Sequence, residues 1–186
     1  VTRFSLRIGG DIGALFEANT RAVYLESPGS LTFEIMDTPA LVAAAEARGI
    51  YTIIDNTWSA GVYHQPLALG ADLSVQALTK YAVGHADAFG GAVMAGNASV
   101  AGKLQACAEE WGITLGPEEA YLALRGLRTL PTRLAAHDRA AREIAGWLAG
   151  RCEVERILHP AFESHPDHTL WARDFSGACG LFGFIL

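Results

Sequence analysis

Short apolar segments alternate with longer polar or helical stretches along the first half of the chain. Residues 22–25, 50–54 and 92–95 are apolar runs of strand length, and the more mixed segment 72–76 is a further strand. The Ala-rich stretch after Thr38-Pro39 predicts a helix between the first two strands, with Thr38 as its N-cap. A strand, a helix and a second strand in this order form a right-handed, parallel βαβ unit. The pattern therefore predicts an α/β domain with a mostly parallel sheet.

The last third of the chain changes to helical periodicity. Pro117 followed by two glutamates is typical of a first helical turn. Pro131 interrupts or restarts this helix, and residues 134–148 continue the pattern. We place a domain boundary at this joint. Residues 1–128 are then the central part of a large domain, and residues 129–186 are the beginning of a smaller α+β domain.

Composition narrows the class of protein. The 186 residues are 51% hydrophobic and only 18% charged, so a sizeable core is expected. The net charge of −6, without any basic block, argues against nucleic acid or an anionic membrane as a partner. No apolar run approaches the roughly 20 residues of a membrane span. The three widely spaced cysteines are typical of reduced thiols, so we expect a cytoplasmic protein.

Two polar side chains mark the ends of neighbouring apolar strands. Asp55 follows one strand, and Thr79-Lys80 follows the next. Ligands of open α/β sheets collect at the carboxyl ends of strands. A lysine among apolar neighbours can lose its charge and form a Schiff base, and an aspartate can hold a protonated ring nitrogen. Each residue alone is more often structural. Together they match what pyridoxal phosphate requires.

Five segments then resemble one family. They are Glu-Ser-Pro at 26–28, Asp-Asn-Thr-Trp at 55–58, Ala-Leu-Thr-Lys-Tyr at 77–81, Gly-His-Ala-Asp at 84–87 and Leu-Arg-Gly-Leu-Arg-Thr-Leu at 124–130. In this order and at this spacing, they resemble the Cys/Met-metabolism family of pyridoxal-phosphate enzymes over essentially the whole chain. The resemblance implies the three-layer fold of pyridoxal-phosphate-dependent transferases, with pyridoxal 5'-phosphate as cofactor and no metal.

The resemblance also implies a role for each candidate residue. Lys80 carries the cofactor as a Schiff base and moves the Cα proton of the substrate. Asp55 pairs with the pyridinium nitrogen, and Thr79 donates its hydroxyl to the phosphate. Thr57 either lies against the ring face or closes a turn. Ala77 stands where many relatives have a serine whose hydroxyl also binds the phosphate, so phosphate binding relies on Thr79 and on groups elsewhere.

Three departures from the commoner family pattern are shared with the bacterial cystathionine β-lyase branch: Trp58, Gln76-Ala77 and Ser30. They imply a carbon–sulfur lyase that converts L-cystathionine to homocysteine, pyruvate and ammonia in methionine biosynthesis. Two alternatives remain open. One is γ-elimination or γ-replacement, as in other members of the family. The other is a non-catalytic fragment of the same fold. The resemblance further implies a homo-oligomer, a dimer of dimers, when the chain is full length.

The chain itself is expected to be a partial sequence. It begins at Val1 without methionine and stops at Leu186 within an apolar run. The family's phosphate loop, its ring-stacking tyrosine and the arginine for the substrate carboxylate are not among these residues. We therefore expect residues 1–186 alone to be inactive.

Several further polar residues are predicted to be structural. His85 and Asp87 are expected to fix the glycine-rich turn after Lys80, and Trp58 is expected to pack. The segment His-Pro-Asp-His at 165–168 has metal-like spacing but no further ligands, so we predict no metal site.

Overall fold

A computed structural model describes residues 1–186, the whole of this chain. Its strands are β1 (Ala22–Glu26), β2 (Tyr51–Asp55), β3 (Leu73–Ala77), β4 (Gly91–Ala95), β5 (Arg156–Leu158) and β6 (Gly183–Ile185). Its helices are a 3-10 helix (Gly9–Leu15), α1 (Thr38–Glu46), α2 (Ala98–Trp111), α3 (Pro117–Leu127), α4 (Leu130–Ala149) and α5 (His168–Asp174).

The main sheet has the order β1-β2-β3-β4. The strands β1, β2 and β3 are parallel, and β4 pairs antiparallel with β3. In this register Glu26 lies beside Asp55, and Asp55 lies beside Val75. The carboxyl ends of the three parallel strands therefore meet at one edge. This arrangement confirms the predicted α/β fold with a mostly parallel sheet.

Two hydrophobic cores hold the chain together. The first packs α1 and the 3-10 helix onto one face of the sheet, with Leu25, Leu41 and Ile54 almost fully buried. The second joins the loop after β2 to α4 and the C-terminal segment through residues such as Trp58 and Leu134. Burying such side chains stabilises the fold by about 1.5–3 kcal/mol each. The second core lies next to the carboxyl edge of the sheet, because it contains Trp58 and Ala60 of the loop that follows β2.

A bidentate ion pair helps to tie the C-terminal segment to the N-terminal one. Arg7 donates from Nε to Asp167 Oδ1 at 2.8 Å and from Nη2 to Asp167 Oδ2 at 2.9 Å. The same carboxylate accepts the backbone N–H of Ile35 at 3.2 Å. Because this carboxylate is almost buried, the pair is well placed to stabilise the fold. Asp167 is thus structural, whereas its sequence context had metal-like spacing.

Helix starts show where the sequence pattern was right and where it was wrong. Pro117 and Pro131 lie in the first turns of α3 and α4, as predicted. Thr38 is not the N-cap of α1. That position is taken by Asp37, whose carboxylate accepts the N–H of Ala40 at 3.3 Å.

Helix α2 had no counterpart among the predicted elements. Only one of its residues, Val100, is buried. Asn97 caps this helix by accepting the N–H of Val100 at 3.0 Å. No helix of the structure combines the length and the apolar character that crossing a membrane requires.

Candidate active site

A cleft of about 630 Å³ opens at the carboxyl edge of the sheet. Strand β1 contributes Glu26 to its wall, and α4 contributes Arg133. All five residues predicted for the site line this one cleft: Asp55, Thr57, Ala77, Thr79 and Lys80. The sheet brings them together because β2 and β3 are adjacent and parallel.

Asp55 is held from two sides at the end of β2. Its Oδ1 accepts the backbone N–H of Thr57 at 2.9 Å, and its Oδ2 is 3.5 Å from the hydroxyl of Tyr24. Burial raises the pKa of Tyr24, and the negative charges of Asp55 and Glu26 raise it further. Tyr24 therefore keeps its proton and faces Asp55 as a donor. The carboxylate can still accept another bond, as a protonated ring nitrogen requires.

Lys80 carries the free amine of the cleft. Its backbone N–H donates to Ala77 O at 3.1 Å, and its carbonyl accepts from Gly84 N at 2.8 Å, so the backbone is fixed as a turn. Its side chain makes no hydrogen bond or ion pair within the chain. The sequence led us to expect apolar neighbours around Lys80. This expectation is wrong for residues 1–186, because the side chain of Lys80 is exposed.

The two threonines are partly engaged with the backbone. Thr79 Oγ1 accepts the N–H of Gly90 at 3.2 Å and donates to its carbonyl at 3.4 Å. To donate to a phosphate, Thr79 would give up this longer second bond. Thr57 Oγ1 accepts the N–H of Ala77 at 2.9 Å, which ties the ends of β2 and β3 together. The hydroxyl proton of Thr57 remains available.

A floor of buried side chains closes the cleft below Lys80. Trp58 donates its indole N–H to Leu181 O at 2.9 Å and packs edge-on against Phe175, so it packs as predicted. Burial raises the pKa of Tyr81 well above its usual range and that of Cys179 to about 11. Both groups are therefore neutral at physiological pH. Cys179 belongs to the packing of the floor and is no reactive thiolate.

Arg133, Glu26 and His137 are among the cleft residues that sequence reasoning missed. The carboxylate of Glu26 accepts a hydrogen bond from the hydroxyl of Ser30 at the rim of the cleft. The guanidinium of Arg133 donates to Tyr81 O and to Gly126 O, both at 2.9 Å. No spacing signal could have identified Arg133, because its partner Tyr81 lies 52 residues earlier and the two meet only in the folded chain.

The residues around the cleft that were predicted to be structural have structural contacts. His85 Nδ1 is 3.0 Å from Val83 O, which fixes the turn after Lys80. Asp87 forms an ion pair of 3.7 Å with Arg125 of α3. These contacts hold the loop that carries Lys80 from its outer side.

The donor set of the cleft fits pyridoxal phosphate. An unengaged amine suits the aldehyde, a carboxylate suits the ring nitrogen, and the threonine hydroxyls suit the phosphate. A cleft of this size also lies in the range of small-molecule sites.

Comparison with known proteins agrees with this chemistry. Residues 1–186 match the family of Cys/Met metabolism PLP-dependent enzymes. The chain belongs to this family. Pyridoxal phosphate is thus its family's cofactor, and the fold is that of the family's lyases and synthases.

Similar proteins include cystathionine lyases and a cystathionine synthase. Cystathionine beta-lyase of Salmonella typhimurium is 44% identical over 98% of this chain and 47% of its own length. Solved structures include cystathionine gamma-lyase from Lactobacillus plantarum, with a TM-score of 0.91 and 30% identity over 94% of this chain and 46% of that one. Cystathionine gamma synthase from Xanthomonas oryzae has a TM-score of 0.86 and 38% identity over 88% and 42%. The chain spans about half the length of these relatives.

Proposed function

We propose that the full-length protein is a carbon–sulfur lyase that splits L-cystathionine by β-elimination, and that it acts in methionine biosynthesis. The products are homocysteine, pyruvate and ammonia. The observation that carries the proposal is the pairing of Lys80 with Asp55 at adjacent strand ends in one cleft. The similarity to the Salmonella cystathionine beta-lyase over 98% of the chain supports β- over γ-chemistry.

The chain's own residues divide the work as follows. Bound pyridoxal phosphate supplies a conjugated ring that accepts electron density from the substrate Cα. Asp55 accepts the N–H of the ring nitrogen and keeps it protonated, and Thr79 donates its hydroxyl to the phosphate. Lys80 Nζ would hold the cofactor through its aldehyde carbon and, once released, would take the proton from Cα and deliver it to the departing sulfur. Thr57 would lie against the ring face or only close the turn.

The remaining proposals concern the whole protein. The break at Arg128 and Thr129, between α3 and α4, supports a boundary between domains 1–128 and 129–186. Exposed apolar side chains support a homo-oligomer, a dimer of dimers. Three unpaired cysteines support a cytoplasmic location.

A second candidate keeps the cofactor and changes the bond that breaks. It is γ-elimination or γ-replacement, and it is supported by the similarity to the solved gamma-lyase and gamma synthase. Product analysis with L-cystathionine distinguishes the two reactions. We expect pyruvate from the full-length protein, whereas 2-oxobutanoate as the main product would establish γ-elimination.

The role of Lys80 can be tested sharply, because residues 1–186 contain only two lysines, Lys80 and Lys103. Lys103 lies on α2 over the ring of Tyr51, outside the cleft. After borohydride reduction of the full-length protein with cofactor, we expect the label on the Lys80 peptide. Lys80→Ala should abolish labelling and lower elimination by at least about 10²-fold, since acid–base catalysis alone contributes that much. Lys103→Ala should keep both. Labelling of any other lysine would refute the assignment, and a protein that binds no cofactor would be a non-catalytic member of the fold.

A further inference from the structure

Arg133 makes four hydrogen bonds next to Lys80. Its Nη1 donates to Tyr81 O at 2.9 Å, and its Nη2 donates to Gly126 O at 2.9 Å and to Ala82 O at 3.4 Å. Its Nε donates to Thr129 Oγ1 at 3.1 Å. The guanidinium therefore joins the turn that follows Lys80 to the end of α3 and the start of α4.

Two glycines allow the close contacts between this guanidinium, the turn and α3. A Cβ added at Gly84 would overlap Nη1 of Arg133, and Gly84 also has a φ of +81° that disfavours other residues. A Cβ added at Gly126 would overlap the carbonyl oxygen of Ala82. Gly84 therefore leaves room for the guanidinium, and Gly126 lets the end of α3 approach the backbone of the turn closely.

The charge of Arg133 has no counter-ion within the chain. Its acceptors are three carbonyls and one hydroxyl, and it takes part in none of the five ion pairs of the structure. It also lines the cleft. A simple surface arginine would be expected to pair with a carboxylate or with water. Here four of the five N–H donors are engaged, and two of them bond the carbonyls of Tyr81 and Ala82 on the C-terminal side of Lys80, since a forked guanidinium can hold two carbonyls at once.

We propose that Arg133 is a positioning residue that fixes the turn at Tyr81 and Ala82 and so keeps Lys80 Nζ aimed into the cleft. On its other side the same segment is held by Thr79 and Gly90. Lys80 then sits between two anchored points while its side chain stays unengaged. This inference rests on the proposed function, because it gives Arg133 a purpose only if Lys80 is the cofactor lysine.

The test uses the full-length protein with Arg133→Met, which keeps an unbranched aliphatic stem and removes the fork. We expect a folded protein in which borohydride labelling of Lys80 is slowed. We also expect kcat to fall by on the order of 10²-fold while KM changes little, since misplacement of a catalytic group by about 1 Å has this cost. Arg133→Lys restores one hydrogen bond and should give intermediate values. Arg139→Met, an exposed arginine of the same helix without a hydrogen bond, is the matched control and should behave like the parent.

The possible outcomes distinguish the role of Arg133 from the proposed function of the protein. If the parent protein is labelled at Lys80 and Arg133→Met is labelled and active at the same rate, the role of Arg133 is refuted while the proposed function stands. If the parent is not labelled at Lys80, the proposed function itself fails. If Arg133→Met does not fold, Arg133→Lys decides. Parental labelling and kcat in that variant would show that the fork is not needed and would overturn the inference.

Discussion

At the residue scale, two aspartates near β2 have contrasting environments. Asp55 lies in the cleft with capacity for a further bond. Asp72 Oδ2 accepts both the backbone N–H of Thr52 at 2.8 Å and its hydroxyl at 3.1 Å, away from the cleft. The same chemical group therefore serves the site in one case and the strand start in the other.

We predict that Asp55→Asn in the full-length protein leaves stability almost unchanged and weakens cofactor binding. Turnover should fall at least about tenfold, because each 1.4 kcal/mol of lost interaction with the protonated ring is a factor of ten. Asp72→Asn is the matched comparison. It should lower the free energy of unfolding by about 1–3 kcal/mol and leave cofactor affinity as it was. Cofactor titration and urea unfolding measure the two effects. Normal turnover in Asp55→Asn would show that this residue is only a turn cap.

At the scale of elements, the start of α1 offers a test of which residue caps it. Asp37 accepts from Ala40 N and forms an ion pair with Arg173 of α5 at 2.8 Å. The bond from Arg173 lowers the pKa of Asp37, although burial opposes this. The hydroxyl of Thr38 is buried and has no partner. We predict that Asp37→Ala lowers the free energy of unfolding by about 1–2 kcal/mol.

In contrast, Thr38→Val should be neutral or slightly stabilising, because replacing an unpaired buried hydroxyl with a methyl group removes a desolvation penalty. Urea denaturation of both variants makes the comparison. A larger loss of stability in Thr38→Val than in Asp37→Ala would show that Thr38 is the N-cap, as the sequence alone indicated.

The elements that sequence predicted well are those with a local cause. The strand ends at Asp55 and Ala77 and the proline-containing first turns of α3 and α4 follow from nearby residues. Helix α2 was missed because little of it is buried.

Residues of the site divide in the same way. Asp55 and Lys80 were visible as polar side chains at the ends of apolar strands, and they do line one cleft. Arg133 was invisible, because its partners are backbone carbonyls of a distant loop, and carbonyls carry no sequence signature. The exposure of Lys80 was likewise beyond local reasoning, since burial depends on every segment packed around it.

At the scale of the whole molecule, two buried histidines predict acid sensitivity. His64 is 1% exposed, neither of its ring nitrogens has a partner, and it is stacked on Phe175. His159 is fully buried, and its ring packs against Phe162. Burial lowers the pKa of both to about 4, although Asp174 and Asp138 partly oppose it.

Because the folded pKa lies below the unfolded value near 6.5, folding favours the neutral rings. We predict full stability above pH 6.5 and a progressive loss as the pH falls from 6.5 towards 4, by up to about 3 kcal/mol for each histidine. Urea midpoints of the full-length protein at several pH values measure this loss. His64→Leu should flatten the profile, and an unchanged slope in that variant would assign the effect to other groups.

Residues 1–186 expressed alone should associate. Large apolar side chains are exposed around the loop after Lys80 and on α2 and α3, including Phe89, Trp111 and Leu124. The edge strand β1 also leaves one side unpaired. We expect aggregation, weak cofactor binding and no lyase activity in this segment. Sedimentation and cofactor titration test the expectation, with Leu124→Lys as a variant that should associate less. A monomer that binds the cofactor tightly and stoichiometrically would contradict it.

The ion pair between Arg7 and Asp167 has a consequence for the order of events during synthesis. Its partners are 160 residues apart. At ribosomal rates of 5–20 residues per second, roughly 10–30 s pass between the appearance of the arginine and that of the aspartate. During that interval the strands of the sheet have already emerged, while the N–H of Ile35 and the charge of Arg7 still lack their acceptor. The nascent chain thus stays open at this seam until Asp167 emerges, and this is the period in which a chaperone has access to the second core, which contains Ile35 and is completed only by residues after Asp167.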